Sequence, residues 1–290
     1  MGKVKIITDS NSGFLQEEGK KLGVEVIPMP FTINDTDYLE EINISQEEFY
    51  DLLENDPEIF TSQPPLGVLQ DVWEKNLKTH DEIVFIPMSS GLSGTCQSSI
   101  LLAKDYDGKV QVVDNKRISI TQKESVVEAI SLAKEGKSAK EIKEHLEKTA
   151  NQSSIYIMLD TLKYLKKGGR ISPAAAAIGT ILKIKPILTS RGGKFEKFAM
   201  SLSTAQGKKR MISQIKKEIE TEFSEAYENG KVVLSVAHTQ NEVEANKFKD
   251  EIIKEFPKAV FHFVNPLSLS VSCHIGPGAL AIALSVNNTL

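Results

Sequence analysis

The stretch Ile83-Val84-Phe85-Ile86-Pro87-Met88-Ser89-Ser90-Gly91-Leu92-Ser93-Gly94-Thr95 decides how the chain is read. An apolar, β-branched run of strand length passes into glycine and small hydroxyl residues, and Gln97-Ser98-Ser99-Ile100-Leu101-Leu102-Ala103 then follows a helical pattern. This is a strand whose C-terminal end feeds a helix N-terminus. Such a turn suits an anionic group: glycines allow close backbone approach, first-turn N–H groups lack intrahelical partners, and the helix dipole favours negative charge. Ser and Gly at this junction are equally ordinary capping residues, so the local pattern leaves both readings open. Gly91-Leu92-Ser93-Gly94 matches neither G-x-G-x-x-G nor the P-loop, and no Lys follows Gly94, which argues against nucleotide binding.

Outward from that stretch, strands alternate with helices. Strands are expected over 4–8, 24–31, 83–87 and 110–113, and helices over 14–21, 46–54 (introduced by Ser45), 66–77, 122–134 and 139–150, with another ending near 104. This order predicts βαβ units and a mostly parallel sheet covered on both faces, with ligands at the strand C-termini. Thr8-Asp9-Ser10, Thr61-Ser62 and the 89–95 turn then share one edge, each offering small hydroxyl residues that suit a single polar head. For Thr61-Ser62 the alternative is a helix cap ahead of Pro64-Pro65.

After about residue 151 the pattern changes. A strand over 154–159 and a short helix over 161–167 lead to Gly168-Gly169-Arg170, a glycine-marked stop followed by a cation. Segments 184–189 and 195–200 flank Ser190-Arg191-Gly192-Gly193-Lys194 as a hairpin. A long helix over 204–222, a strand over 232–237, a helix over 242–256 and a strand over 259–264 follow, and an apolar helix over 279–284 closes the chain. The expected fold is α/β, with two α/β domains, the first built on a mostly parallel sheet and the second mixed and containing a β-hairpin.

The 290 residues carry a net charge of −4 with both signs interspersed, which leaves no electrostatic footprint for nucleic acid or an anionic membrane surface. Cys96 and Cys273 lie far apart with no metal-ligand spacing around them and read as two buried thiols, so no metal is expected. The first residues enter a strand pattern directly, without the apolar core of a secretory signal, and a cytoplasmic location is expected. The most apolar segment, 174–188, is interrupted by Lys183 and Lys185 and ended by Pro186, too short to span a bilayer.

Candidate chemistry is sparse. Asp9 reads either as an aspartyl-phosphate nucleophile or as turn chemistry, and the second Asp two residues on that the former needs is absent. His274, before Gly276-Pro277-Gly278, reads as a donor to a carboxylate or as a helix-end residue. Arg170 is the anion candidate of its segment, because a guanidinium forks onto a carboxylate, whereas Lys163, Lys166 and Lys167 read as a solvated face. No G-x-S-x-G motif, paired carboxylates or metal constellation is present, and binding is favoured over catalysis. The alternative is an enzyme acting on a small phosphorylated metabolite, with the 89–95 turn as phosphate cradle and Asp9 or His274 as acid or base.

With these residues in view, the sequence resembles the DegV family, whose members are fatty-acid-binding proteins that present acyl chains to a fatty acid kinase. Six elements carry the resemblance in order along the whole chain: Ile7-Thr8-Asp9-Ser10, Thr61-Ser62-Gln63-Pro64, Ser89-Ser90-Gly91-Leu92-Ser93-Gly94-Thr95, Gly168-Gly169-Arg170-Ile171-Ser172, Lys185-Pro186, and His274-Ile275-Gly276-Pro277-Gly278-Ala279. The resemblance implies a long-chain fatty acid buried between two domains, its carboxylate held by Thr61 and Ser93 with Ser62 and the Gly94 backbone nearby. Arg170 and His274 would support that polar network. It also implies a binding and carrier role with no cofactor, the chemistry being left to a partner kinase. The last helix would pack back on the first domain, giving domains of 1–152 plus 276–290 and of 153–275.

Overall fold

The computed structural model describes residues 2–177 and 184–290, so 178–183 of the apolar 174–188 segment, Lys183 among them, lie outside the described residues. The chain divides into two compact units, Met1–Asn151 with Ser268–Ser270, and Gln152–Leu267 with Val271–Leu290.

In the first unit, β1 (Val4–Asp9), β2 (Glu25–Ile27), β3 (Pro30–Ile33), β4 (Thr36–Leu39), β5 (Ile59–Thr61), β6 (Glu82–Ile86) and β7 (Val110–Val112) form two sheets. One is four-stranded and wholly parallel, in the order β2-β1-β6-β7. The middles of its two central strands, Ile6-Ile7 and Ile83-Val84-Phe85-Ile86, are apolar because helices cover both faces. Ile6, Val84 and Ile86 pack with Val126, Ala129, Ile142 and Leu146 of the helices Ile120–Lys134 and Ala139–Lys148. The alternate residues Ile7, Ile83 and Phe85 pack with Leu69, Trp73 and Cys96 of the helices Leu66–Leu77 and Thr95–Leu102. Period-two alternation thus feeds two cores from one strand, as expected for a parallel sheet. Ser45 caps the helix Gln46–Leu53 in a reciprocal capping box with Glu48.

The strand expected over 24–31 is two strands in two sheets. Pro28 and Pro30 lack the N–H that a ladder needs, so pairing with β1 stops at Ile27 and β3 starts a separate sheet of order β4-β3-β5. β3 and β4 join through Asn34-Asp35, both with positive φ, 45° and 62°, which fits the two-residue turns whose twist matches a hairpin.

In the second unit, β8 (Ser153–Met158), β9 (Lys185–Ser190), β10 (Glu196–Ser201), β11 (Val232–His238), β12 (Val260–Pro266) and β13 (Leu280–Val286) form a mixed six-stranded sheet of order β10-β9-β8-β13-β11-β12. The hairpin expected around residues 190–194 is the antiparallel β9–β10 pair. Met211, Ile215 and Ile219 of the helix Thr204–Thr221, with Ala245, Phe248 and Ile252 of the helix Glu242–Glu255, cover one sheet face.

The closing apolar helix is not formed. Residues 280–286 are β13, antiparallel to both β8 and β11, and they belong to the second unit, so the assignment of 276–290 to the first domain does not hold. Ala and Leu favour helices in isolation, but every residue here is buried and large alternates with small: Leu280, Ile282, Leu284 and Val286 join the helix-covered core, while Ala281, Ala283 and Ser285 take the other face. Context outweighed propensity. The helix that does form nearby is Leu269–Ile275, which carries His274 in its last turn.

Because Ile282 is fully buried between two neighbouring strands and under the helices, Ile282→Ala should lower the unfolding free energy by about 2–5 kcal/mol in urea titrations.

Candidate functional site

β1 has β2 on one side and β6 on the other, so the connections leaving β1 and β6 diverge, and the C-terminal ends of these strands are where a doubly wound sheet opens a crevice. The turn after β6 lies here. Met88 N–H donates to Asp9 Oδ2 (2.9 Å) and Ser89 N–H to the Arg117 carbonyl (2.9 Å). The Ser89 carbonyl then accepts both Leu92 N–H (3.0 Å) and Ser93 N–H (3.1 Å). Ser93 Oγ accepts Thr95 N–H (3.3 Å) and shares a hydrogen bond with Thr95 Oγ1 (3.0 Å). Gly94 opens the helix Thr95–Leu102 without a side-chain cap. The hydroxyls of this turn hydrogen-bond within it and none caps the helix, while Ser93 is half-exposed and Gly94 exposed.

Thr61 ends β5, paired with Phe31 of β3, and Ser62 N–H donates to the Pro30 carbonyl (3.3 Å). Neither caps the next helix, whose N-cap is Pro65. Gln63 joins this segment to the helix Thr95–Leu102 that follows the 89–95 turn. Its Oε1 accepts Ser98 Oγ–H (3.0 Å) and lies 3.3 Å from where a Cβ on Gly94 would stand. Thr61, Ser62, Ser93 and Gly94 all belong to the first unit.

Asp9 is wholly buried, with Oδ1 accepting Asn11 N–H (3.1 Å) and the Gln122 amide (3.0 Å). Burial pushes its carboxyl up to about 6 against the pull of these hydrogen bonds. Both oxygens are engaged and Asp9 caps the short turn Ser10–Ser12, which is the turn chemistry rather than a presented nucleophile.

Arg170 and His274 lie in the second unit and meet at Gly168. Arg170 Nη1 donates to the Gly168 carbonyl (2.6 Å), and its own carbonyl accepts Phe195 N–H (2.9 Å) from the end of the hairpin turn. The His274 ring packs onto Gly168 so closely that a Cβ there would lie 1.9 Å from Nδ1. Burial, and then the charge of Arg170, hold His274 down at about 4, so the ring is neutral at neutral pH. Two further glycines complete the fit. Gly276 and Gly278 have φ of 75° and 81°, and added Cβ atoms would stand 2.3 Å from Tyr164 Cδ2 and 2.5 Å from Asp160 Oδ2. Asp160 also pairs with Lys185, and Leu159 N–H donates to the Pro186 carbonyl (2.9 Å), which gives Lys185-Pro186 its place. Gln63 and Gly168 stand inside the 61–64 and 168–172 motifs, whereas no local pattern marks Tyr164 and Asp160.

Cys96 and Cys273 are buried free thiols, and burial pushes Cys96 up to about 12. Among the described residues no cluster of His, Cys, Asp and Glu could hold a metal ion, and no helix is long and apolar enough to cross a membrane.

Comparison with known proteins accords with this architecture. Residues 3–287 match the DegV family, described as "Uncharacterised protein, DegV family". A DegV domain-containing protein of Staphylococcus aureus is 34% identical over 288 residues, covering 98% of this chain and 99% of its own. Among solved structures, a DegV family protein from Thermus thermophilus, described by its fatty acid binding, has a TM-score of 0.87 at 25% identity over 98% of this chain and 99% of its own. DegV of Bacillus subtilis, described as a fatty acid binding protein, has a TM-score of 0.83 at 28% identity over 99% of this chain and 100% of its own. The α/β fold, with its parallel four-stranded and mixed six-stranded sheets, is the fold of these structures. The chain belongs to the DegV family.

Two outcomes follow from the placement of His274. Gly168→Ala should displace the His274 ring, seen as a shift of its imidazole resonances in NMR, because ring and methyl cannot share that space. The unfolded chain protonates His274 near 6.5 and the folded chain only near 4, so this residue's contribution to stability is complete above 6.5 and is lost as pH falls towards 4. Over that window His274→Gln should flatten the decline of the unfolding free energy measured by denaturant titration.

Proposed function

We propose that the chain binds a long-chain fatty acid through its carboxylate, held by the Thr61 and Ser93 hydroxyls with Ser62 and the Gly94 backbone beside them. In this reading the loaded chain presents the acid to a partner kinase that makes the acyl-phosphate. The observation that carries the reading is the turn after β6, at the sheet edge where ligands gather, in which Ser93 is half-exposed and Gly94 exposed, with Thr61 at the end of β5 and Gln63 just after it reaching Ser98 of the helix that the turn opens. Fatty acid binding named for relatives that share the fold over the whole chain supports the same ligand class.

The energetics are consistent. Each buried methylene of an acyl tail contributes about 0.8 kcal/mol, so the head site need only offset the desolvation of one carboxylate.

Lipid extraction of protein purified from a bacterial host should yield a bound long-chain acid. Thr61→Ala with Ser93→Ala should weaken its retention by on the order of 1 kcal/mol per hydroxyl while the chain stays folded. Undiminished retention would remove the assigned head site, and a phosphate-occupied site would favour the enzyme of phosphorylated metabolites. With ATP present, acyl-phosphate should form only when a fatty acid kinase is added; its formation by this chain alone would overturn the carrier role.

A further inference from the structure

We propose that Asp9 and Gln122 are a positioning pair for the head-group turn, holding the Met88 amide so that Ser93 is presented in one place. The proposal deepens the fatty acid reading and rests on it.

The parallel ladder between β1 and β6 ends at Thr8 and Ile86, so Asp9 and Met88 are among the first groups past the last paired residues. Asp9 Oδ2 accepts Met88 N–H there, and no ladder partner remains for that amide. The other oxygen, Oδ1, is taken by Asn11 N–H and by Gln122, which fixes the plane of the carboxylate. Gln122 is itself fixed, since its amide also lies 3.2 Å from Thr8 Oγ1 and 3.1 Å from the Ile86 carbonyl, the acceptor of the Thr8 hydroxyl (2.7 Å). Thr8, Asp9 and Gln122 are all completely buried. From Met88 the path to Ser93 is short: Ser89 is anchored on the Arg117 carbonyl, and the Ser89 carbonyl receives Ser93 N–H.

Capping alone does not account for an acid at this position. A three-residue turn is capped as well by Asn or Ser, which bury no charge. A carboxylate differs in having two acceptor oxygens and no donor, and here two donors converge on one oxygen while Met88 takes the other. Asparagine has the same shape but not that chemistry. With its oxygen on Asn11 and Gln122, its NH2 group would face Met88 N–H, donor against donor, and release the turn. Asp9→Asn therefore tests the bond to Met88 while retaining the cap.

The experiment uses the full-length chain loaded with palmitic acid and compares dissociation from the wild type, Asp9→Asn, Ser93→Ala and the double variant, with thermal melting and backbone amide exchange on each. Asp9→Asn should melt cooperatively, lose exchange protection at Met88 and release the acid about 10-fold faster, the effect of one charge-assisted hydrogen bond. In the Ser93→Ala background the same substitution should add little, since it acts through Ser93. Gln122→Met, which keeps the volume, should behave like Asp9→Asn and carries the test if that variant does not fold. Wild-type retention in both variants alongside faster release by Ser93→Ala would overturn this proposal and leave the head site standing, and so would additive losses in the double variant. Unchanged retention in Ser93→Ala would overturn the head site and the proposal with it.

Discussion

The pairing of β1 with β6 under helices on both faces is the constraint from which the first unit follows. A strand covered on both sides has no face for polar groups, so the apolar residues Ile6, Ile7, Ile83, Val84, Phe85 and Ile86 fill two cores, and polar chemistry is displaced to the strand ends. At those ends the backbone leaves the ladder with N–H and carbonyl groups still to satisfy. Asp9, Gln122, Asn11 and the Arg117 carbonyl satisfy them, and the turn held in this way carries Ser93. The machinery that closes the sheet and the machinery that would grip a head group are one set of hydrogen bonds.

The second unit solves a different problem by close approach. Arg170 and His274 come from a helix stop and a helix end far apart in sequence, and they meet because Gly168 removes the side chain that would separate them. Gly276 and Gly278 repeat the device against Tyr164 and Asp160, with backbone angles that other residues adopt at a cost. The price of this packing is a histidine that cannot easily be charged, since burial and Arg170 both oppose its proton. The two glycine motifs are halves of one fit.

Much of the fold is legible in the sequence because its signals are local. The continuous apolar run of β6, the Ser45–Glu48 capping box and the glycine-rich turn of the hairpin each state their own structure. The small β4-β3-β5 sheet escaped because its strands are three or four residues long, although Pro28, Pro30 and the Asn34-Asp35 turn mark its start. The 280–286 segment misled because alanine and leucine favour a helix locally, whereas its alternation of large and small residues has meaning only between β8 and β11.

For the site the division is similar. The amino-acid sequence by itself determined the residue types and their order: hydroxyls at 61, 62 and 93, a guanidinium at 170, an imidazole at 274, and glycines at 94, 168, 276 and 278. It also determined the parallel first sheet, since strands alternating with helices of this length make βαβ units. Tertiary structure alone decided that Gln63 reaches Ser98, that Asp9 spends both oxygens holding a turn rather than facing a substrate, and that the His274 ring rests on Gly168. The reason is distance along the chain. Apart from the local bond of Asp9 to Asn11, these contacts join residues 35 to 113 positions apart, and no local propensity or spacing encodes which of many hydroxyls, amides and glycines will meet once two cores have formed.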